Sequence, residues 1–291
     1  LFNGFTDISF DSCNFTNNTA GISGGAIYYM GSTTGNSSFI DSRFINNTAA
    51  SSAGAIYMSS SKNDKFQNSV FENNKLTSIG NGGAVYIAAG VSNVELNKCN
   101  FTSNSIRSSD DNDKTICCGG AVYSLAANVT VVENRFEDNY ASRHGGAFTA
   151  YAGSWNGTDL FSITKSTFIN NTAHNGGGLN IYHVRNVNVT DCTFENNTAT
   201  GATGEGGALW MDNFRAKVSG CNFTNNTAGK GSALAYIPAS ASTIGETKAT
   251  VENCMFTKNT AAEAGTVWFE SSSGKINKCN FTDNEAANAG G

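Results

Sequence analysis

Eight cysteines carry the most reactive side chains of this 291-residue chain. Six of them stand two residues before a phenylalanine, and the last four recur at intervals of 29, 33 and 25 residues. If these intervals mark stacked repeats, neighbouring cysteines come within disulfide distance. We favour the alternative that cysteine is a small buried apolar residue here, because parallel strands orient neighbouring side chains poorly for a bridge.

The adjacent pair Cys117–Cys118 differs from the others, because it lies in the longest insertion and could bridge to Cys99 or form a strained vicinal pair. No C-x-x-C spacing or histidine cluster accompanies the cysteines, so no zinc site is predicted. The candidates for disulfides are Cys99, Cys117, Cys118, Cys192, Cys221, Cys254 and Cys279.

Acid–base chemistry has weaker support in the sequence. The three histidines are scattered, and His144 and His174 stand just before Gly-Gly pairs, which is typical of turns. The segment 108–113 has three aspartates that could offer oxygen ligands to Ca²⁺, but it lacks the glycine and distal glutamate of an EF-hand loop. We interpret it as a solvated loop, and we find no group of residues that interrupts the repeat at one place.

Asparagine provides a second kind of chemistry, since N-x-[S/T] is the acceptor sequence for N-glycosylation. Several of these asparagines lie between a cysteine and a phenylalanine that should face inward, so they should face outward. The repeat itself contains N-N-T-A, which multiplies such sites whether or not they are used. The candidates are Asn14, Asn17, Asn36, Asn46, Asn100, Asn128, Asn156, Asn170, Asn188, Asn196, Asn222, Asn225 and Asn280.

One motif, F-x-x-N, organises all of these residues, and it recurs ten times at intervals of 25 to 35 residues. Its phenylalanines are Phe15, Phe44, Phe71, Phe101, Phe136, Phe168, Phe194, Phe223, Phe256 and Phe281. Its asparagines include Asn18, Asn47, Asn74, Asn171, Asn197 and Asn226. Because apolar residues alternate with polar ones before each phenylalanine, each unit should contain short strands, about three per unit. Units of this kind bury their apolar faces by stacking, so each repeated position becomes a ladder.

A small-residue triplet follows each asparagine after a variable stretch, as in GGAIY from Gly24 and GGALW from Gly206. The triplet opens a short strand. The position after the first apolar residue of that strand should face outward. Its aromatic members form a stripe that could hold sugar rings or a partner protein, or could simply stabilise the sheet. They are Tyr28, Tyr57, Tyr86, Tyr123, Trp210 and Trp268.

The pairing of F-x-x-N with GGA-[ILV] resembles the passenger domain of chlamydial polymorphic membrane proteins, with a pectin-lyase-like fold. The likeness runs from Phe10 to Gly291. It implies an all-β chain, a right-handed parallel β-helix of about ten coils, at a cell surface and with an adhesive role. It carries over no catalytic residue. The Gly-Gly pair is broken in three coils, which departs from the pattern.

These observations predict a single β-helix domain over residues 1–291, uncapped at both ends, as a segment of a longer chain or a unit that stacks into a filament. The predicted function is a non-enzymatic extracellular scaffold or adhesin without a cofactor. The predicted partners are other copies of the chain and glycans or a surface receptor. The alternatives are a polysaccharide-active lyase or hydrolase and a glycan-binding module. The net charge of −5 argues against nucleic acid as a partner. The sequence contains no run of 18 apolar residues, so no membrane-spanning helix is predicted.

Overall fold

The computed structural model describes residues 1–107, 117–152, 159–213, 215–238 and 248–290. These residues form strands, turns and bends without a helix, so none of the described segments could cross a membrane as a helix. Every strand pairing in these ranges is parallel. The predicted parallel β-helix is therefore confirmed.

Each coil contributes strands to three sheets. The first sheet has 18 strands, because two consecutive strands of each coil belong to it and the two earliest strands run through both positions. Its strands are Phe2–Asp11, Ile27–Ile40, Ile56–Ser59, Lys65–Gln67, Val85–Ile87, Ser92–Asn97, Val122–Ser124, Ala127–Val132, Phe148–Tyr151, Leu160–Thr164, Leu179–Tyr182, Asn186–Thr190, Leu209–Asp212, Arg215–Ser219, Leu234–Tyr236, Lys248–Glu252, Val267–Phe269 and Ser273–Asn277.

The other two sheets have ten strands each. The Phe sheet, which carries the phenylalanines of the repeat, consists of Asn14–Thr16, Arg43–Ile45, Val70–Glu72, Asn100–Thr102, Arg135–Glu137, Thr167–Ile169, Thr193–Glu195, Asn222–Thr224, Met255–Thr257 and Asn280–Thr282. The Thr-Ala sheet consists of Thr19–Ala20, Thr48–Ala49, Lys75–Leu76, Ser105–Ile106, Tyr140–Ala141, Thr172–Ala173, Thr198–Ala199, Thr227–Lys230, Thr260–Ala264 and Glu285–Ala286. A coil thus has four strand segments rather than the predicted three, because most strands of the Thr-Ala sheet are too short to show alternation.

The ten phenylalanines of the repeat form one continuous column inside the rod. Neighbouring rings lie 4.6 to 4.9 Å apart and nearly parallel along the whole column. This spacing equals the distance between hydrogen-bonded strands, so ring stacking and backbone pairing share one repeat distance. From Phe44 to Phe256 the side chains are fully buried.

The asparagines of the repeat form a second internal ladder, at the turn between the Phe sheet and the Thr-Ala sheet. The Asn171 amide donates to the carbonyl of Phe136 and to Asn197 Oδ1, both at 3.0 Å. Its own Oδ1 accepts from the backbone N–H and the side-chain amide of Asn139. The residue before each such asparagine turns the chain with a positive φ, as Asn170 does at 55°. Asparagine tolerates this conformation better than most residues, which explains the N-N pairs of the repeat.

The Gly-Gly pair places two coils in close contact at the start of the first-sheet strands. The first glycine turns with a positive φ, 70° at Gly119, and the second meets the next coil directly. A Cβ atom on Gly120 would collide with the carbonyl oxygens of Gly146 and Tyr140. At Gly120 only glycine fits, because the two backbones approach too closely for a side chain.

Candidate functional site

A stack of four tyrosines lies on the outer face of the first sheet. Tyr28, Tyr57, Tyr86 and Tyr123 pair in register, and their ring centroids are 4.6, 5.2 and 5.4 Å apart. All four are partly exposed. Burial raises the pKa of Tyr57 and Tyr86, so their hydroxyl groups are neutral around pH 7. We call this set the tyrosine ladder.

The ladder is interrupted after Tyr123. The next two rungs carry Thr149 and Asn180, and Trp210 follows on the third. The sequence predicted Trp210 as part of an exposed stripe, and this is wrong, because the residue is only 7% exposed. Trp268 stays partly exposed, but Ala235 separates it from Trp210. The outer stripe is therefore one tyrosine ladder followed by a break.

A cleft of about 640 Å³ occupies the break. Thr149 and Asn180 form its floor, while Tyr123 and Trp210 stand at its two ends. The register places the remaining lining residues on two sides. Cys118, His144 and Asn175 lie on one side, and Tyr151, Tyr182, Asp212 and Ile237 lie on the other.

Trp210 is held in a fixed position across the cleft. Its indole N–H donates to Glu205 Oε2 at 3.1 Å. Its ring lies 6.2 Å from the ring of His144 and 5.9 Å from that of Tyr182, so it bridges the two sides. A large aromatic ring whose polar atom is already bonded provides a rigid apolar wall.

Polar atoms in the cleft differ in whether they have partners. The Thr149 hydroxyl donates to the carbonyl of His144 at 2.9 Å. Asn180 is 1% exposed, and its Nδ2 has no hydrogen-bond partner in the structure. His144 Nδ1 and Arg143 Nε are likewise buried without a partner. Unpaired buried polar atoms are uncommon in native proteins, so this cluster needs an explanation.

The cleft holds its histidine in the neutral form. Burial, with a further contribution from the Arg143 charge, lowers the pKa of His144 to about 3. A neutral imidazole offers one donor and one acceptor. On the opposite side His183 Nε2 lies 3.6 Å from Asp212 Oδ2.

The cleft corrects the prediction that no group of residues interrupts the repeat. The signal was present in the sequence, because threonine and asparagine replace aromatic residues at two successive equivalent positions, Thr149 and Asn180. Whether this replacement opens a cleft depends on the side chains of neighbouring strands, and the repeat pattern does not specify those side chains. His144 and His174 are also not equivalent, since His144 pairs with Asn175.

The cysteines of the repeat line the interior, and the structure joins none of them in a disulfide. Disulfide formation by Cys99, Cys117, Cys118, Cys192, Cys221, Cys254 and Cys279 stays a prediction. The thiols point back at their own chain, as in the bonds from Cys192 Sγ to the Thr190 carbonyl and from Cys254 Sγ to the Glu252 carbonyl, both 3.2 Å. Burial raises the pKa of Cys99 to about 12, so this thiol is a poor nucleophile near neutral pH.

The candidate glycosylation sites all lie on the surface where they are described. Asn156 lies outside the described residues. The remaining twelve are exposed: Asn14, Asn17, Asn36, Asn46, Asn100, Asn128, Asn170, Asn188, Asn196, Asn222, Asn225 and Asn280. Their exposure permits glycan attachment, which stays a prediction.

The acidic segment with Asp110, Asp111 and Asp113 also lies outside the described residues. Among the residues that are described, no three histidine, cysteine or acidic side chains come together as a metal site would require.

Comparison with known proteins agrees with this geometry. Residues 106–237 match a right-handed β-helix region. The match agrees with the parallel β-helix that the strand pairing forms, and it supports a right-handed coil.

Residues 12–29 and 41–59 match the Chlamydia polymorphic membrane protein repeat. Each of these two matches spans one phenylalanine–asparagine motif and the small triplet that follows it. The resemblance predicted from these motifs is confirmed. Neither the curated proteins nor the solved structures gave a significant match.

Proposed function

We propose that this protein is a non-enzymatic scaffold at the cell surface or outside the cell, and that the tyrosine ladder is its adhesive face. The observation that carries the proposal is the stack of four partly exposed tyrosine rings on a rigid rod. Aromatic rings dominate the binding energy of many protein interfaces. The matched repeat takes its name from membrane proteins of Chlamydia, which supports a surface location.

The rod suits this role because its parts repeat in register. The phenylalanine column and the asparagine ladder fix each coil on the next, so the outer side chains are held at strand spacing. Rigid presentation lowers the entropy lost when a partner binds. A regular array of rings therefore forms a ready-made contact surface.

The test is adhesion of the purified chain to host cells or cell-surface extracts, measured as the half-saturating concentration. We expect the double variant Tyr57→Ser/Tyr86→Ser to raise this concentration at least tenfold, which corresponds to about 1.4 kcal/mol of binding free energy. The matched control is Tyr140→Ser, because Tyr140 lies on the Thr-Ala sheet, where Arg107 stacks over its ring. Equal adhesion of all three proteins would contradict the proposal.

A further inference from the structure

The cleft between Tyr123 and Trp210 has the shape of an aromatic stack from which rings are missing. Rings of the tyrosine ladder repeat every 4.6 to 5.4 Å, but Thr149 and Asn180 bring no ring to their two rungs. The space above these residues is therefore bordered by aromatic residues along the rod axis. The cleft volume, about 640 Å³, is typical of sites that bind small molecules.

The floor of the cleft supplies hydrogen-bonding groups that the fold leaves unused. Asn180 Nδ2 is buried and has no partner, and it lines the cleft. His144 Nδ1 lies on one side of the cleft, and it is also buried without a hydrogen-bond partner. A ligand with hydroxyl groups would satisfy both atoms, because a hydroxyl can both donate and accept.

The balance of charge favours an uncharged ligand. The cleft contains one guanidinium group, of Arg143, and one carboxyl group, of Asp212, so neither sign dominates. Its remaining polar groups are amides, hydroxyls and a neutral imidazole. Aromatic walls with a few neutral polar groups fit a molecule that has both apolar faces and hydroxyl edges.

We propose that this cleft binds a neutral saccharide, with a pyranose ring held between Tyr123 and Trp210 and its hydroxyl groups bonded to Asn180 and His144. The C–H faces of the sugar pack against the aromatic rings, and the hydroxyl groups pair with the unsatisfied polar atoms. The site goes beyond the adhesive role of the tyrosine ladder, because it lies on the rungs where that ladder is interrupted.

The experiment uses the whole chain and a defined panel of neutral disaccharides: maltose, lactose, cellobiose and N,N′-diacetylchitobiose, with digalacturonic acid as the charged comparison. Binding is measured by saturation-transfer NMR and by the change in tryptophan fluorescence. We expect at least one neutral disaccharide to bind with saturation transfer to its ring C–H protons, and digalacturonic acid to bind more weakly. The sugars are also analysed after incubation, so that turnover would be detected separately.

Two variants of one residue test the geometry. Asn180→Ala removes the buried donor, and we expect its affinity to fall at least tenfold. Asn180→Tyr continues the aromatic ladder into the cleft, so it should abolish binding while the melting temperature stays equal or rises. Trp268→Ala is the control, because Trp268 occupies the same outer position two rungs beyond Trp210 and does not line the cleft.

Three results would overturn the inference: no saturation transfer from any neutral sugar, equal binding by folded Asn180→Tyr, or tighter binding of digalacturonic acid than of every neutral disaccharide. Turnover of a bound sugar would leave the site in place but contradict the non-enzymatic function. Loss of adhesion in Tyr57→Ser/Tyr86→Ser with unchanged sugar binding would show that the two surfaces act separately.

Discussion

Asp64 is a buried carboxyl group within the repeat. It is 1% exposed, and its oxygens accept hydrogen bonds from the Ser37 hydroxyl at 2.6 Å, the Ser37 backbone N–H at 2.9 Å and the Ser61 hydroxyl at 2.7 Å. Burial raises the pKa of Asp64, and the three bonds oppose that rise only in part. The folded state therefore holds this proton more strongly than the unfolded chain does.

This shift predicts a dependence of stability on pH. A carboxyl group with a raised folded pKa destabilises the fold once it is ionised, so its penalty is absent well below pH 4 and appears as pH rises through the folded pKa. A neutral amide at this position carries no such penalty, so Asp64→Asn should be more stable than the wild type at pH 7 and equal to it near pH 3. Urea unfolding of both proteins from pH 3 to 7 measures the difference in their free energies of unfolding. Other titrating groups are common to both proteins, so this difference reports on Asp64.

A lower stability of Asp64→Asn than of the wild type at pH 7, with a difference that vanishes near pH 3, would contradict the assignment. It would mean that the three hydrogen bonds outweigh burial and hold the pKa of Asp64 below its usual range. Ser61→Ala offers a check, because loss of one bond to Asp64 Oδ2 should raise the pKa further and steepen the decline with pH.

Among the elements, the asparagine ladder carries several hydrogen bonds per residue. The Asn171 side chain takes part in four of them within a dry interior. Each rung also bonds the next, so the ladder connects coils in the same way as the strands.

We expect Asn171→Ala to lower the free energy of unfolding by about 3 to 4 kcal/mol, at roughly 1 kcal/mol for each lost bond. Asn170→Gly is the matched control, because the adjacent Asn170 is exposed and glycine keeps its positive φ, so its effect should stay within about 0.5 kcal/mol. Chemical denaturation gives both values. Similar losses in the two variants would indicate that turn geometry, rather than the ladder, holds the coils together.

The elements show which features sequence alone can predict. The phenylalanine and asparagine positions were predictable because each repeats ten times and every copy meets the same physical demand. The fourth strand of the coil was missed, since a segment as short as Thr172–Ala173 carries no periodicity. The cleft was missed for a related reason. Asn180 differs from the aromatic residues at equivalent positions, and a repeat pattern does not predict what a differing residue does.

At the scale of the whole molecule, the described strands pair between adjacent coils, and this determines how damage spreads. Phe136 packs between Phe101 at 4.9 Å and Phe168 at 4.8 Å, and it also meets the edge of Phe148. Removing its ring leaves a cavity in the column that the flanking rings can fill only in part. Stability in such a rod is a sum of local terms and interfaces between neighbours.

We therefore expect Phe136→Ala to lower the free energy of unfolding by about 3 to 5 kcal/mol and to weaken the molecule locally. Hydrogen exchange followed by mass spectrometry should show faster exchange in strands Asn100–Thr102, Arg135–Glu137 and Thr167–Ile169, with protection retained near Met255–Thr257. Phe281→Ala serves as control, since its ring is already 42% exposed and its loss should cost far less. Faster exchange spread evenly over all ten rungs would mean that the rod unfolds as one cooperative unit, against the additive behaviour that stacked coils imply.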